Sequence, residues 1–221
     1  MSVEVDSQQF TLTQKQYLAG IDFFTWTRHY HVIRDLCALV DGDVFEVGTG
    51  DGVVRRCILP FVRSYTVMDL NPGLQPDVHG NLVDHQPALV GRFDAAVCTE
   101  VLEHLPFAKL STCVANLASY LHPGGRLFLT LPHRKGHMLV VTPRQRLWKW
   151  RFPFGTTSFG EAWNRLVRRR IWIDPNHCWE IGDGTVTRAS VAAVLALHGL
   201  VTETLTPLPY CDYWVLRKPA A

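Results

Sequence analysis

The 221 residues, 47% of them hydrophobic and with a formal net charge of +2, suffice for one substantial core within the ~50–250 residues usual for a domain. The near balance of charge excludes a protein whose whole surface is given over to nucleic acid or membrane, so any such preference must be local. The cysteines at 37, 57, 98, 113, 178 and 211 show neither zinc-knuckle nor redox-pair spacing, which makes a reducing cytoplasm the expected setting and gives no reason to expect a metal.

The opening stretch, MSVEVDSQQF, lacks the basic-then-apolar pattern of a secretory signal. No apolar run approaches the ~20 residues of a membrane helix. Val32, Ile33, Leu36, Leu39 and Val40 then recur at helical spacing and are closed by Asp41 and Gly42. Short apolar runs at Asp43–Val47, Ser64–Asp69, Phe93–Cys98 and Arg126–Leu131 each end in turn-forming residues and read as parallel strands. Between the last two, Leu110, Val114, Leu117 and Leu121 form one helical face, which His122-Pro-Gly-Gly125 should end. Val191, Val194, Leu195 and His198 predict a last helix stopped by Gly199, and Val201–Thr206 with Cys211–Leu216 predict a closing hairpin. Alternation of this kind is α/β architecture, with helices on both faces of a mostly parallel sheet.

Chemistry is concentrated in the loops between these elements. Glu46-Val-Gly48-Thr49-Gly50-Asp-Gly52 follows a strand and precedes a helix, where glycines let the backbone turn and approach a ligand; a purely structural turn could use the same residues. The pyrophosphate fingerprint wants a third glycine where Val53 stands, which disfavours a dinucleotide. Asp69 ends the second strand about 20 residues after the loop, the place of a ribose acceptor, although Asp69-Leu-Asn71-Pro72 also suits a cap.

These motifs, together with FDAAVCTEVLEHLP at Phe93–Pro106 and LHPGGRLFLTLP at Leu121–Pro132, resemble in order and spacing four motifs of class I methyltransferases that use S-adenosylmethionine. The resemblance implies a Rossmann-like fold with a seven-stranded sheet, one strand antiparallel. It implies that Glu46, Gly48, Thr49 and Gly50 surround the methionine end of the cofactor, that Asp69 and Leu70 meet the ribose, and that Thr99 and Glu100 form the outer wall. Asn81, beside Leu82, stands where many members carry an aspartate for the adenine amino group; its amide oxygen can still accept that bond, without the strength of a carboxylate. On this reading 1–221 is a single methyltransferase domain. It comprises a helical cap at 1–42, a cofactor-binding core at 43–132, an acceptor-side insertion at 133–184, and the last helix and strand pair at 185–221.

Three histidines sit where the acceptor should enter. His104 ends EVLEH and either faces the acceptor or braces the next helix; His133 leaves the fifth strand and either faces the acceptor or merely turns. His177 with Glu180 is the preferred base-and-orienter pair, against a buried histidine bonded for structural reasons. Residues 133–176 carry ten basic side chains, Arg134, Lys135, Arg144, Arg146, Lys149, Arg151, Arg165, Arg168, Arg169 and Arg170, against Glu161 and Asp174. Trp163, Leu166, Val167 and Ile171 could form the apolar side of a short helix there. Such a segment suits an anionic acceptor, an RNA or a peripheral membrane contact, or is a solvated face of a structural insertion. A small-molecule, glycan or lipid-linked acceptor methylated at oxygen is the expectation. RNA methylation and a catalytically inactive cofactor-binding scaffold are the rivals. DNA is not expected, since the Asp/Asn-Pro-Pro-aromatic and Pro-Cys signatures of base methylation are absent.

Overall fold

The computed structural model describes residues 11–144, 146–152, 163, 167 and 171–220. Two helices, α1 (Gln14–Ala19) and α2 (Phe23–Leu39), precede the first strand. The strands β1 (Asp43–Val47), β2 (Ser64–Asp69), β3 (Val78–His79), β4 (Phe93–Thr99) and β5 (Leu121–Pro132) are interleaved with α3 (Val53–Ile58) and α4 (Leu110–Tyr120). A separate hairpin, β6 (Gly136–Val141) with β7 (Leu147–Phe152), comes next, then α5 (Arg188–Leu197), β8 (Val201–Pro207) and β9 (Cys211–Arg217). Seven strands join in the order β3-β2-β1-β4-β5-β9-β8. The first five are parallel, and β9 alone runs against its neighbours, pairing antiparallel with both β5 and β8. This is the sheet that the resemblance implied.

Because successive strand residues point to opposite faces, the sheet feeds two apolar layers. On one face Phe45, Met68, Phe93 and Leu129 meet Leu117 and Tyr120 of α4 and Val191 and Leu195 of α5. On the other Val44, Val67, Val97 and Phe128 meet Val32 and Leu36 of α2 and Val54 and Ile58 of α3. Leu39, expected on the buried stripe, is turned to solvent at 44% exposure, because the buried face of α2 is already filled by Val32 and Leu36.

The strand after α4 begins earlier than the sequence suggests. Pairing starts at Phe93 with Leu121, slips, and resumes at Ala95 with Arg126, so His122-Pro-Gly-Gly125 forms an irregularity inside β5 and not a separate turn. Gly124 supplies the required positive φ of 87°. Lys218 closes the exposed end of α4, its Nζ donating to Ala118 O at 2.8 Å and Leu121 O at 2.6 Å.

The β6–β7 hairpin was not foreseen. Its alternation is obscured because both faces carry apolar groups: the exposed Trp148 and Trp150 pair with Val140 and Met138 on one, and Leu147 pairs with Val141 on the other. Of the short helix expected around Trp163–Ile171, Val167 N–H donates to Trp163 O at 2.8 Å, one helical turn. Arg165, Leu166, Arg168, Arg169 and Arg170 lie outside the described residues. The six cysteines are free thiols. Among the described residues no helix is long and apolar enough to cross a membrane.

One buried ion pair fastens the last helix to the antiparallel strand. Arg188, at the start of α5, donates through Nε and Nη2 to both carboxylate oxygens of the fully buried Asp212, each at 2.7 Å. Removing the guanidinium strands a carboxylate in the core, so Arg188→Ala should cost about 3 kcal/mol, read from the urea midpoint of the purified chain.

Candidate active site

The carboxyl ends of β1, β2 and β4 open on a cavity of about 310 Å³. Ligands of open α/β sheets bind at that edge. Glu46, Gly48, Thr49, Gly50, Asp69, Leu70, Asn81, Leu82, Thr99 and Glu100 all line it. The glycine loop takes its shape from backbone conformations side chains resist: Gly48 has φ 75° and Gly50 φ 46°. A Cβ on Gly48 would lie 2.5 Å from Val101 Cγ2, so the close approach of the loop to the turn after β4 requires glycine there.

Asp69 is held from two sides. Its Oδ2 accepts from Thr49 N–H at 3.0 Å and its Oδ1 from Asn71 N–H at 2.8 Å, which fixes the carboxylate against the glycine loop with lone pairs left over for a diol. Burial pushes its pKa up, and those backbone bonds oppose the shift. Asn71 takes the capping role in that turn, accepting from Gly73 N–H at 2.9 Å. Asn81 spends one lone pair of Oδ1 on Val83 N–H at 3.0 Å, so the amide that faces the cavity is already half engaged.

Glu46 is 3% exposed with no partner for Oε2, and burial pushes its carboxyl up to about 8. Glu100, which follows β4, adopts a left-handed φ of 53°, unusual for a residue with a side chain, and burial also raises its pKa. Strain and buried carboxyls of raised pKa thus converge on one cavity, the pattern of a functional site.

The histidines part company. His104 lines the cavity and its Nδ1 donates to Asn176 O at 2.9 Å; burial lowers its pKa, which keeps the ring neutral. His177 packs edge-on against it with ring centroids 5.1 Å apart, and its Nδ1 lies 3.0 Å from Glu180 Oε1, so the predicted pair is in contact. Cys178 N–H donates to Glu103 O at 2.7 Å and Trp179 Nε1 donates to Leu105 O at 2.9 Å, clamping residues 176–180 onto the turn after β4. His133 is placed differently. Its Nε2 lies 3.0 Å from Leu208 O and its Nδ1 accepts from Lys135 N–H at 3.2 Å, so both ring nitrogens are engaged by backbone and the ring does not line the cavity.

Sequence reasoning missed the wall contributed by the N-terminal helices. Tyr17 of α1 and Arg28 and His29 of α2 line the cavity with Asp51 of the loop. His29 Nε2 contacts Asp51 Oδ2 at 2.9 Å in a buried pair, tying α2 to the glycine loop. Despite burial, the bond from His29 and Val53 N–H hold Asp51 below the usual carboxylate range. On an amphipathic helix Arg28 reads as a solvent-facing residue, and only the packing of α2 across the loop turns it inward.

A family model described as a methyltransferase domain matches residues 27–178. The chain belongs to that family. Among curated proteins it is 32% identical over 105 residues to a ubiquinone biosynthesis O-methyltransferase of Xanthomonas axonopodis pv. citri (strain 306), a match covering 41% of this chain and 43% of that protein. The matched part therefore spans less than half the length of that relative. A protein of the same name from Azotobacter vinelandii is 26% identical over 190 residues, covering 79% of this chain and 74% of that one. Among solved structures, the N-methyltransferase NodS from Bradyrhizobium japonicum WM9, in complex with S-adenosyl-L-homocysteine, superposes with a TM-score of 0.63 at 17% identity, over 96% of each chain. The fold is that of class I methyltransferases, and its members here include both O- and N-methyltransferases.

Glu46 gives the site a measurable signature. A carboxyl that titrates near 4.5 when unfolded and about 8 when folded makes the folded state hold a proton that the unfolded chain releases. Stability of the ligand-free chain should therefore fall as pH rises through that window. Glu46→Gln should give a shallower decline and a higher denaturation midpoint at pH 8, measured by chemical denaturation across pH.

Proposed function

We propose that the chain transfers a methyl group from S-adenosylmethionine to an oxygen of a small organic acceptor. The observation that carries the reading is a single cavity lined by the glycine loop, the doubly anchored Asp69 and His104, with His177 packed edge-on against His104. The residues present fit the cofactor. Asp69 offers two oriented oxygens to ribose hydroxyls, and Gly48 and Gly50 leave the space that side chains would fill. Arg28, buried at Nε without a hydrogen-bond partner, is suited to the methionine carboxylate, and the unpartnered Glu46 oxygen suits a cationic group. Asn81 and Leu82 line the remaining end, where the adenine would lie.

When bound, S-adenosylmethionine supplies an electrophilic methyl on a sulfonium, so the protein has to align the acceptor oxygen and free it of its proton. His104 lines the cavity and His177 packs against it, each with Nδ1 tied to an oxygen acceptor, so that Nε2 is the nitrogen left to meet the acceptor. This pair activates the acceptor oxygen, with Glu180 orienting His177. His133, sealed by backbone on both nitrogens, holds the end of β5 in place.

The O-methyltransferase relatives support oxygen over nitrogen as the methylated atom. The excess of basic residues between 133 and 176 supports an acceptor with a phosphate or carboxylate, with Lys149 and Arg151 exposed on β7. Segment 133–184 then acts as the acceptor-side cover of the single domain.

Two variants separate the parts of the site. Asp69→Ala should weaken S-adenosylhomocysteine binding by roughly tenfold or more in calorimetry, because a ribose hydroxyl pair loses its acceptor. His177→Ala should leave that affinity within about twofold while lowering turnover on the order of 10²-fold, measured as labelled methyl transfer to a panel of hydroxylated and phenolic acids. Unchanged S-adenosylhomocysteine affinity in Asp69→Ala would sink the ribose assignment. Cofactor binding with no transfer to any acceptor would favour a scaffold.

A further inference from the structure

Glu103 is the one carboxylate at this end of the sheet that the proposed methyl transfer leaves without a task. It is 0% exposed, and neither carboxylate oxygen has a hydrogen-bond partner among the described residues. A carboxyl buried in that state either keeps its proton or meets a cation. A carboxylate oxygen of Glu103 and one ring nitrogen from each of His104 and His177 lie within 4.8 Å of one another.

The surroundings of the two imidazoles point the same way. The Nδ1–H of His104 is donated to a backbone carbonyl, Asn176 O at 2.9 Å, and that of His177 to a carboxylate, Glu180 Oε1 at 3.0 Å. Carbonyl and carboxylate are the two partners that fix the tautomer and raise the basicity of metal-bound histidines. Glu180 is itself pinned, accepting from Asp174 N–H at 2.9 Å, with Arg134 Nη1 3.6 Å from its other oxygen. The backbone bonds from Cys178 to Glu103 and from Trp179 to Leu105 hold the two ligand-bearing segments in register.

We propose that Glu103, His104 and His177 form a binding site for a divalent first-row transition cation, beside the cavity wall that His104 contributes. Two imidazoles and one carboxylate suit zinc, iron(II) or cobalt(II) better than magnesium, which prefers oxygen ligands in octahedral array. Three protein ligands leave coordination positions open, the arrangement of a catalytic and not a structural site.

The inference deepens the functional reading and its catalytic part rests on it. An acceptor hydroxyl coordinated at an open position loses its proton to water at lower pH than a free one, and the resulting oxyanion forms the new carbon–oxygen bond as the carbon–sulfur bond breaks. The acceptor class that best exploits such a site carries two adjacent oxygens, such as a catechol or a hydroxy acid, able to chelate while one oxygen is methylated.

Cobalt(II) is the probe. The full chain, free of added histidine tags and stripped with a chelator, should take up one equivalent of cobalt(II) with visible ligand-field absorption. Glu103→Gln, His104→Gln and His177→Gln should each lower its affinity by at least 100-fold. Glu180→Gln, acting through His177, should lower it by roughly 10-fold. Circular dichroism and S-adenosylhomocysteine calorimetry on each variant establish that the fold is kept; should Glu103→Gln not fold, the two histidine variants carry the test. Absence of stoichiometric uptake, or uptake that survives all three ligand substitutions through surface histidines, overturns the proposal. Cobalt uptake without any S-adenosylhomocysteine binding supports the metal site while refuting the methyltransferase reading. The reverse result does the opposite.

Discussion

A cluster of buried carboxyl groups is the constraint around which this end of the molecule is built. Glu46, Glu103 and Glu180 are each almost wholly removed from solvent, and Glu100 contributes a buried oxygen beside them. In an apolar interior such groups persist only by protonation or by pairing with positive charge. The protein supplies part of the compensation: Arg28 from α2 lowers the pKa of Glu100 against the effect of burial, and Arg134 approaches Glu180. Compensation is incomplete, since oxygens of all four carboxylates remain unpartnered among the described residues. A site in this condition is poised to take cations, and the proposed ligands, a sulfonium with an ammonium and a divalent metal, are both cationic.

The rest of the fold makes that concentration affordable. The two apolar layers are well filled on both faces of the sheet, and the strained backbone lies away from them, at the strand ends. Glu100, with its positive φ, follows the last residue of β4, and its N–H finds Thr130 Oγ1 at 3.1 Å on the neighbouring strand. A side chain in the left-handed region costs of order 1–3 kcal/mol. Here the cost coincides with the point where the chain leaves the sheet and begins the turn that carries Glu103 and His104. Strain, charge and ligand-bearing residues are thus successive consequences of one short segment, Thr99–Leu105.

What could be read from the sequence followed from periodicity and turn chemistry. The glycine loop, Asp69 and the strand pattern were legible because each is local: a few adjacent residues fix the backbone conformation that does the work. Contact between His177 and Glu180 was legible as a spacing, and the structure joins them. Arg28 and Tyr17 were not legible, because their place depends on how two N-terminal helices cross the loop, a tertiary fact without a local pattern. Glu103 was overlooked for a similar reason: in EVLEH it reads as the charged face of a helix, and only the docking of residues 176–180 seals it from water. The slip in β5 was hidden because Pro-Gly-Gly marks a turn in most contexts, whereas here the strand absorbs it as a pairing irregularity.

The orientation of the two histidines carries the argument one step further. A histidine serving only to brace a turn gains nothing from a buried, unpartnered carboxyl within 4.8 Å of a ring nitrogen, which is where Glu103 stands for both rings. Both rings are fixed through Nδ1 by the one segment 176–180, and they meet at an angle of 71° with a Glu103 carboxylate oxygen within 4.8 Å of a nitrogen of each. Holding two imidazoles and a desolvated carboxyl together opposes the hydration of each, and backbone hydrogen bonds from Cys178 and the indole of Trp179 clamp them there. That arrangement is explained if the three groups share one ligand. On the proposed reading the cofactor half of the site is set by the glycine loop and Asp69, and the acceptor half by what the turn after β4 and the segment before α5 bring together.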